Sequence, residues 1–175
     1  MRNVLLHGCC APCLTSAIYQ LYNDNVIPCW YNPNIEPESE HEKRYNAFAK
    51  LSKLLSIDKS KLEYDYQTEN KLWHNAIAGY ENEIEGGKRC EKCIEFRLKK
   101  VAEYLKKDQN LATSLTVSPH KNAEMINKIG KNISAKYLES NFKKNDGYKI
   151  SQELSKKYDL YRQNYCGCLY SRKIK

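Results

Sequence analysis

Seven of the eight cysteines in this 175-residue chain lie in three short groups that are far apart in the sequence. The groups span residues 9–13, 90–93 and 166–168. The apolar run at the start of the chain is too short for a secretory signal, and no apolar stretch approaches the length of a membrane span. We therefore expect a cytoplasmic protein that does not enter a membrane and whose thiols stay reduced. In that setting, grouped cysteines indicate metal or redox chemistry rather than a disulfide framework.

Short apolar runs alternate with segments of helical periodicity along the chain. Strands are predicted at residues 4–6, 26–31, 62–66, 111–117 and 134–138, and helices at 14–22, 45–55, 91–105, 122–128 and 150–158. Strands separated by helices favour βαβ units, and therefore an α/β fold with a parallel sheet flanked by helices. The length and the lack of repeats or linkers predict a single domain over residues 1–175. Since ligands bind at the carboxyl ends of parallel strands, we expect the loops after Leu6, Tyr31 and Val117 to line the site.

The first cysteine group contains Cys9, Cys10 and Cys13 and leads into the first predicted helix. Pro12 suits the first position of that helix. Backbone N–H groups at a helix start lower the pKa of nearby thiols and favour the thiolate, which is the form that binds metal. The alternative is a set of small buried hydrophobic residues, although three cysteines within five residues are dense for a core.

The second group is a C-x-x-C motif formed by Cys90 and Cys93 at the start of a predicted helix. Its two sulfurs lie on one side, within reach of one metal ion or cluster, but redox pairs share the motif. Two such pairs supply the four thiolates that tetrahedral zinc or a [4Fe–4S] cluster needs. The spacing differs from the C-x₂-C-x₂-C-x₃-C pattern of ferredoxins, so it does not decide between a zinc ion and an iron–sulfur cluster.

The third group, Cys166-Gly167-Cys168, can close into a small, strained and easily reduced disulfide. This predicts a redox pair that carries two electrons, with ligation of a second metal or two inert thiols as alternatives. Cys29 lies outside the groups in a predicted strand, and we expect it to pack in the core. His7 abuts the first group, where it can bind metal, transfer a proton, or be held by the backbone.

Positive charge is concentrated in the second half of the chain. Residues 1–85 carry a formal net charge of −4, and residues 86–175 carry +12. A basic half favours a polyanion such as nucleic acid, although a solvated lysine-rich surface is the alternative. Arg162 and Tyr165 suit phosphate contact and base stacking, or they pack the C-terminal segment onto the sheet. Asn32 follows a predicted strand, where it lines the site or makes a turn.

These motifs, in this order, resemble the cobalamin-independent epoxyqueuosine reductase family over essentially the whole chain. The resemblance is carried by five stretches, of which the last is very specific: Leu5-Leu6-His7-Gly8-Cys9-Cys10-Ala11-Pro12-Cys13, Tyr31-Asn32-Pro33-Asn34-Ile35, Arg89-Cys90-Glu91-Lys92-Cys93, Leu115-Thr116-Val117-Ser118-Pro119-His120-Lys121 and Tyr161-Arg162-Gln163-Asn164-Tyr165-Cys166-Gly167-Cys168. The family implies a nucleotide α-hydrolase-like, Rossmann-like fold. It also implies the last step of queuosine synthesis, the reductive removal of the epoxide oxygen from epoxyqueuosine in tRNA.

The resemblance further implies site residues and partners. A [4Fe–4S] cluster would be held by Cys9, Cys10, Cys90 and Cys93, and an additional iron would lie beside it. Whether Cys13 replaces one of these four ligands is left open. Cys166 and Cys168 would form the redox-active pair, with His7 or a cysteine thiol as proton donor. Asn32, Arg162 and Tyr165 are the candidate substrate-binding residues. The anticodon arm of tRNA would bind the basic half, and an electron donor such as a ferredoxin or flavodoxin would supply electrons.

Two alternatives remain at the level of sequence. One is a different tRNA-modifying enzyme on the same fold, although the chain has no phosphate-binding glycine-rich motif. The other is a zinc-stabilised RNA-binding module, which would hold one zinc and unfold on chelation. That module leaves the Cys-Gly-Cys motif without a purpose.

Overall fold

A computed structural model describes residues 1–58 and 63–172. At its centre is a three-stranded parallel sheet with the order β2-β1-β3, where β1 is Asn3–His7, β2 is Asn25–Cys29 and β3 is Gln109–Thr113. His7 is paired with Cys29 on one side and with Thr113 on the other, so all three strands end at the same level. The predicted α/β class with a parallel sheet flanked by helices is confirmed.

Within residues 1–58 and 63–172, six α-helices surround the sheet. They are α1 (Ala11–Gln20), α2 (Glu38–Leu54), α3 (Tyr66–Ala76), α4 (Lys88–Ala102), α5 (Ala123–Ile133) and α6 (Gly147–Lys157). Two 3-10 turns cover Ser114–Val117 and Leu169–Ser171. Over the described ranges, no helix is both long enough and apolar enough to cross a lipid bilayer.

The core lies on both faces of the sheet because successive side chains of β1 point to opposite sides. Leu6 packs with Leu14 of α1 and Phe48 of α2 on one face. Leu5 packs with residues of α4 and α5 on the other, including Leu98. Each fully buried leucine contributes roughly 1.5–3 kcal/mol of transfer free energy, so this central strand is well anchored below the site.

The strand predicted at residues 62–66 is wrong. Leu62 lies outside the described residues, residues 63–65 are irregular, and Tyr66 begins α3. The carboxylate of Asp65 accepts hydrogen bonds from the backbone N–H and the hydroxyl of Thr68, which starts a helix at this point. Helix α3 is thus an element that the sequence pattern did not predict.

Two other predicted strands are shorter than expected. The strand at 111–117 ends at Thr113, because the Thr113 hydroxyl accepts a hydrogen bond from the Leu115 N–H and the chain turns into a 3-10 helix. The segment at 134–138 forms only an isolated bridge between Leu111 and Tyr137. Both changes leave the chain irregular beside the carboxyl ends of the sheet, where side chains can be directed toward a ligand.

Candidate metal and redox centre

The loops that follow β1, β2 and β3 meet at the carboxyl edge of the sheet, as predicted. The amide of Asn32, in the loop after β2, donates a hydrogen bond to the carbonyl of Gly8 at 2.8 Å. Its oxygen accepts one from Arg97 Nη1 of α4 at 3.0 Å. Asn32 is completely buried, so it acts as a brace between the first cysteine loop and the helix that carries the second cysteine group.

The first cysteine group forms a tight triad. The sulfurs of Cys9, Cys10 and Cys13 all lie within 4.8 Å of one another, close enough to share one metal ion. Cys10 is the N-cap of α1, and its sulfur accepts a hydrogen bond from the Cys13 N–H at 3.4 Å. The loop is fastened by the 3-10 turn after β3, since Ser114 Oγ accepts from the Cys9 N–H and donates to the Cys9 sulfur.

The three thiols of the triad differ in acidity. Hydrogen bonds from the thiols of Cys13 and Cys9 hold the pKa of Cys10 well below its ordinary value. Donating to Cys10 raises the pKa of Cys9 to about 11, although a contact with the Cys13 thiol opposes this. One thiolate supported by two thiols is the arrangement expected of ligands that lose their protons when a metal binds.

The second group lies on the first turns of α4. The sulfur of Cys90 accepts a hydrogen bond from the Gly86 N–H at 3.2 Å. Cys93 packs against Trp73 of α3 and Cys168, and burial raises the pKa of its thiol. Within the part of the chain that is described, this pair stands outside the 4.8 Å triad.

The guanidinium of Arg97 connects the three groups. Arg97 lies one helical turn after Cys93, is 3% exposed, and forms no ion pair with a carboxylate of residues 1–58 or 63–172. Burial opposes its charge, but nearby thiols raise its pKa above the ordinary value. These thiols come from all three groups: Cys93, Cys166, Cys9 and Cys168. The cysteine groups therefore converge on one buried cation, which sequence patterning did not single out.

The third group is held by residues from the first half of the chain. Arg44 of α2 donates to the carbonyl of Cys166 at 2.9 Å, and its guanidinium lies 4.8 Å from the ring centroid of Tyr165. Gly167 has φ +144°, and a Cβ there would lie 3.1 Å from Ile35, so a glycine is required between the two cysteines. Cys166 and Cys168 are both free thiols in this structure, and Cys29 is buried in the core as predicted.

His7 is fully buried at the end of β1. Its Nδ1 lies 2.9 Å from Thr113 Oγ1, and its Nε2 lies 3.2 Å from the carbonyl oxygen of Tyr31. Burial lowers the pKa of His7 to about 4, so the ring is neutral near pH 7. Nε2 then donates to the Tyr31 carbonyl, and Nδ1 accepts from the Thr113 hydroxyl. Both ring nitrogens are engaged within the protein.

The other candidate substrate residues lie near the third group. Tyr165 is partly buried, and its hydroxyl donates to the carbonyl of Glu36. Arg162 is exposed and reaches Ser155 of α6 at 3.3 Å. Sequence patterning missed a further contact: the Nζ of Lys121 lies 2.9 Å from the sulfur of Cys166. The quoted Ser118-Pro119-His120-Lys121 stretch contains this lysine, but no periodicity directs it to the site.

Comparison with known proteins gives a consistent result. A family model described as "Epoxyqueuosine reductase QueH" matches residues 4–174. The chain is similar to an epoxyqueuosine reductase QueH of Thermotoga maritima, with 41% identity over 98% of this chain and 91% of the relative. It is also similar to proteins of that name from Streptococcus pyogenes, with 37% identity over 98% of this chain and 71% of the relative, and from Dehalococcoides mccartyi, with 32% identity over 96% and 91%. This chain belongs to the epoxyqueuosine reductase QueH family.

Proposed function

We propose that this chain reduces epoxyqueuosine to queuosine in tRNA. The observation that carries the proposal is the meeting of the three cysteine groups at the carboxyl edge of the sheet, where Asn32 joins the Gly8 loop to Arg97 and Cys93 packs against Cys168. Family membership supports the same reaction. Removal of the epoxide oxygen consumes two electrons and two protons, breaks two C–O bonds, and yields a carbon–carbon double bond and water.

The donor set fits a thiolate-bound metal centre. Cys9, Cys10, Cys90 and Cys93 would hold a [4Fe–4S] cluster, and Cys13 is a second ligand candidate because its sulfur lies within 4.8 Å of Cys9 and Cys10. A bound cluster, with an additional iron beside it, would supply low-potential electrons and a Lewis acid for the epoxide oxygen. Arg97 supports this assignment, since a buried cation without a carboxylate partner is stabilised by anionic sulfur.

The remaining site residues move protons or electrons, or hold the substrate. Cys166 and Cys168 carry two electrons as a dithiol. A cysteine thiol is a better proton donor to the departing oxygen than His7, because His7 is neutral and both its nitrogens are engaged. Asn32 would affect the substrate by bracing the site, and Arg162, which is exposed in the segment that leads to Cys166, would contact a phosphate.

The basic half of the chain supports tRNA as the partner. The modified base would leave the anticodon stack to enter a site at the sheet edge, while lysines and arginines of residues 86–175 neutralise backbone phosphates. The electrons for each turnover would come from a donor such as a ferredoxin or flavodoxin. Cytoplasmic residence agrees with a tRNA substrate and with reduced thiols.

The test combines metal analysis with a turnover assay on protein purified without oxygen. We expect about four iron and four sulfide per chain and conversion of epoxyqueuosine tRNA when a low-potential reductant is supplied. Cys9→Ala and Cys93→Ala should lose iron and activity, whereas Cys29→Ala, a buried thiol outside the site, should keep both. One zinc without sulfide, and no turnover, would instead indicate the zinc-stabilised RNA-binding module.

A further inference from the structure

The two thiols of the Cys-Gly-Cys motif lie in different surroundings. The ammonium of Lys121 donates a hydrogen bond to the sulfur of Cys166 at 2.9 Å. The sulfur of Cys168 instead faces the hydroxyl of Ser171 at 3.6 Å and packs with Trp73. One sulfur therefore has a cation as its hydrogen-bond partner, and the other has a neutral hydroxyl and apolar neighbours.

Lys121 is held in place by its neighbours. It directly precedes the N-cap of α5, Asn122, and its carbonyl accepts a hydrogen bond from the ammonium of Lys143. Its side chain is 12% exposed, and the carboxylate paired with it, Glu85, is 46% exposed and 3.7 Å away. The Cys166 sulfur is nearer to this ammonium than the Glu85 carboxylate is, so it is the closer of the two partners.

Two other cations near the motif do not distinguish the two sulfurs, since Arg44 donates to the backbone carbonyl of Cys166 and not to a sulfur. Arg97 interacts with both Cys166 and Cys168. The groups that favour the charge on Lys121 are the thiols of Cys166 and Cys90 and the carboxylate of Glu85, whereas the Lys143 ammonium contacts only its backbone carbonyl. Of the two thiols in the motif, only Cys166 is hydrogen-bonded to Lys121, so the asymmetry of the pair comes from this lysine.

We propose that Lys121 is a positioning residue that makes Cys166 the first sulfur of the pair to react and leaves Cys168 to close the disulfide. The use of the pair rests on the proposed reductase function. When the pair is oxidised, an S–S bond forms between Cys166 and Cys168, and two electrons and two protons leave the thiols. The epoxide accepts them: its two C–O bonds break, a carbon–carbon double bond forms, and the oxygen leaves as water.

The proposal is tested by thiol labelling, which needs no substrate. Anaerobic, fully assembled protein is treated with iodoacetamide at pH 7, and labelling is followed by mass spectrometry. Trypsin releases residues 163–172, which contain both cysteines, and fragmentation separates them. Because the Lys121 ammonium lies 2.9 Å from the Cys166 sulfur, and a cation at this distance makes a cysteine more nucleophilic, we expect Cys166 to be alkylated about tenfold faster than Cys168. Equal rates, or faster labelling of Cys168, would overturn the proposal without any variant.

Substitutions of Lys121 test whether this lysine causes the difference in labelling rate between Cys166 and Cys168. Lys121→Met, which keeps the length of the side chain, should slow Cys166 about tenfold and leave Cys168 unchanged. Lys121→Arg should restore most of the rate. Lys99→Met is the matched control, because it removes an exposed ion pair with Glu95. An unchanged Cys166 rate in Lys121→Met, or equal slowing of both cysteines, would contradict a positioning role.

A redox titration gives a second readout. The hydrogen bond stabilises the reduced pair, so Lys121→Met should shift the equilibrium with dithiothreitol about tenfold toward the disulfide. Loss of activity in the wild-type protein with the labelling difference intact would refute the reductase function but not the role of Lys121. An unshifted equilibrium together with uniform labelling would refute the role of Lys121 alone.

Discussion

Asn32 and Arg97 form a buried polar link that sets the distance between the first cysteine loop and α4. The amide of Asn32 uses its nitrogen for Gly8 and its oxygen for Arg97, so no group of this side chain remains for a ligand. A substitution here leaves a backbone carbonyl and a guanidinium without partners inside the protein. The link is therefore expected to matter for stability first and for substrate only through the shape of the site.

Asn32→Ala should lower the free energy of unfolding by about 3 kcal/mol, because two buried groups lose their hydrogen bonds and one of them is charged. Urea denaturation measures this change. Asn70→Ala is the matched control, since Asn70 makes one partly buried bond to the carbonyl of Pro33, and about 1 kcal/mol is expected there. Equal effects of the two substitutions would contradict the bracing role of Asn32.

His41 predicts a pH dependence of stability. It is largely buried next to Trp30 and Tyr64, and burial, with a smaller effect of Arg44, lowers its pKa to about 4. The unfolded chain binds a proton near pH 6.5, so the stabilisation is complete above that pH and is lost as the pH falls toward 4. Between pH 7 and pH 5 the loss attributable to His41 should be about 2 kcal/mol.

Urea titrations at both pH values check this expectation. His41→Gln keeps a hydrogen-bond acceptor for the indole N–H but cannot take up a proton, so its stability should fall less between pH 7 and pH 5. The same substitution at His120, which is exposed, serves as the control and should behave like the wild type. A His41→Gln protein with the full wild-type pH dependence would show that another group is responsible.

Helix α3 shows where sequence patterning fails at the level of elements. Tyr64 and Tyr66 alternate with acidic residues and therefore resemble a half-buried strand. In the structure the Tyr64 ring packs against Tyr31 at 4.9 Å between centroids, while the Tyr66 hydroxyl donates to the carbonyl of Ile35. Both contacts join parts of the chain about thirty residues apart, so no local pattern reveals them. The helix that follows brings Trp73 against the site.

For Gly130 in α5, the structure predicts a change in stability on substitution by alanine that is opposite in sign to the change expected from helix propensity. Replacing an interior helical glycine with alanine ordinarily stabilises a protein by about 1 kcal/mol. Here a Cβ would lie 2.3 Å from the ring of Tyr137, which is 7% exposed and cannot move freely. Gly130→Ala should therefore destabilise the protein by about 2 kcal/mol in thermal or urea unfolding.

The matched substitution for this test is Lys128→Ala, on the exposed side of the same helix. Its effect should stay within about 0.5 kcal/mol. A stabilised Gly130→Ala protein would mean that Tyr137 can yield at little cost, and that the bridge between Leu111 and Tyr137 is loosely held.

At the scale of the whole molecule, the sequence predicts the sheet and the edge where the site lies. Each of the three strands contains a short apolar segment, Val4-Leu5-Leu6, Val26-Ile27 and Leu111-Ala112, which is typical of buried parallel strands. The cysteine groups are also recognised in the sequence, because the cysteines within each group are closely spaced. The cations that join them are not: 29 lysines and arginines are spread along the chain, and only the folded structure buries Arg44, Arg97 and Lys121 among the thiols.

The two edges of the sheet should differ in their contribution to tRNA binding. Arg162 is exposed near the third cysteine group, whereas Arg2 precedes β1 at the opposite edge and pairs with Asp24. Arg162→Ala should weaken binding of an anticodon stem-loop about fivefold and reduce the magnitude of its salt slope by about one. Arg2→Ala should change neither, as filter binding between 50 and 200 mM salt would measure. Similar losses at both positions would place the RNA elsewhere.

Because Cys9 and Cys166 are far apart in the sequence, they are synthesised at different times. Residues near the beginning and near the end of the chain form the same site, and the carbonyl of Cys166 is held by Arg44. At a synthesis rate of about 5–20 residues per second, the first sulfur leaves the ribosome roughly ten to thirty seconds before the last. The thiols of residues 9–13 therefore emerge before the segment that completes their surroundings exists, so the site can close only after synthesis has passed Cys168.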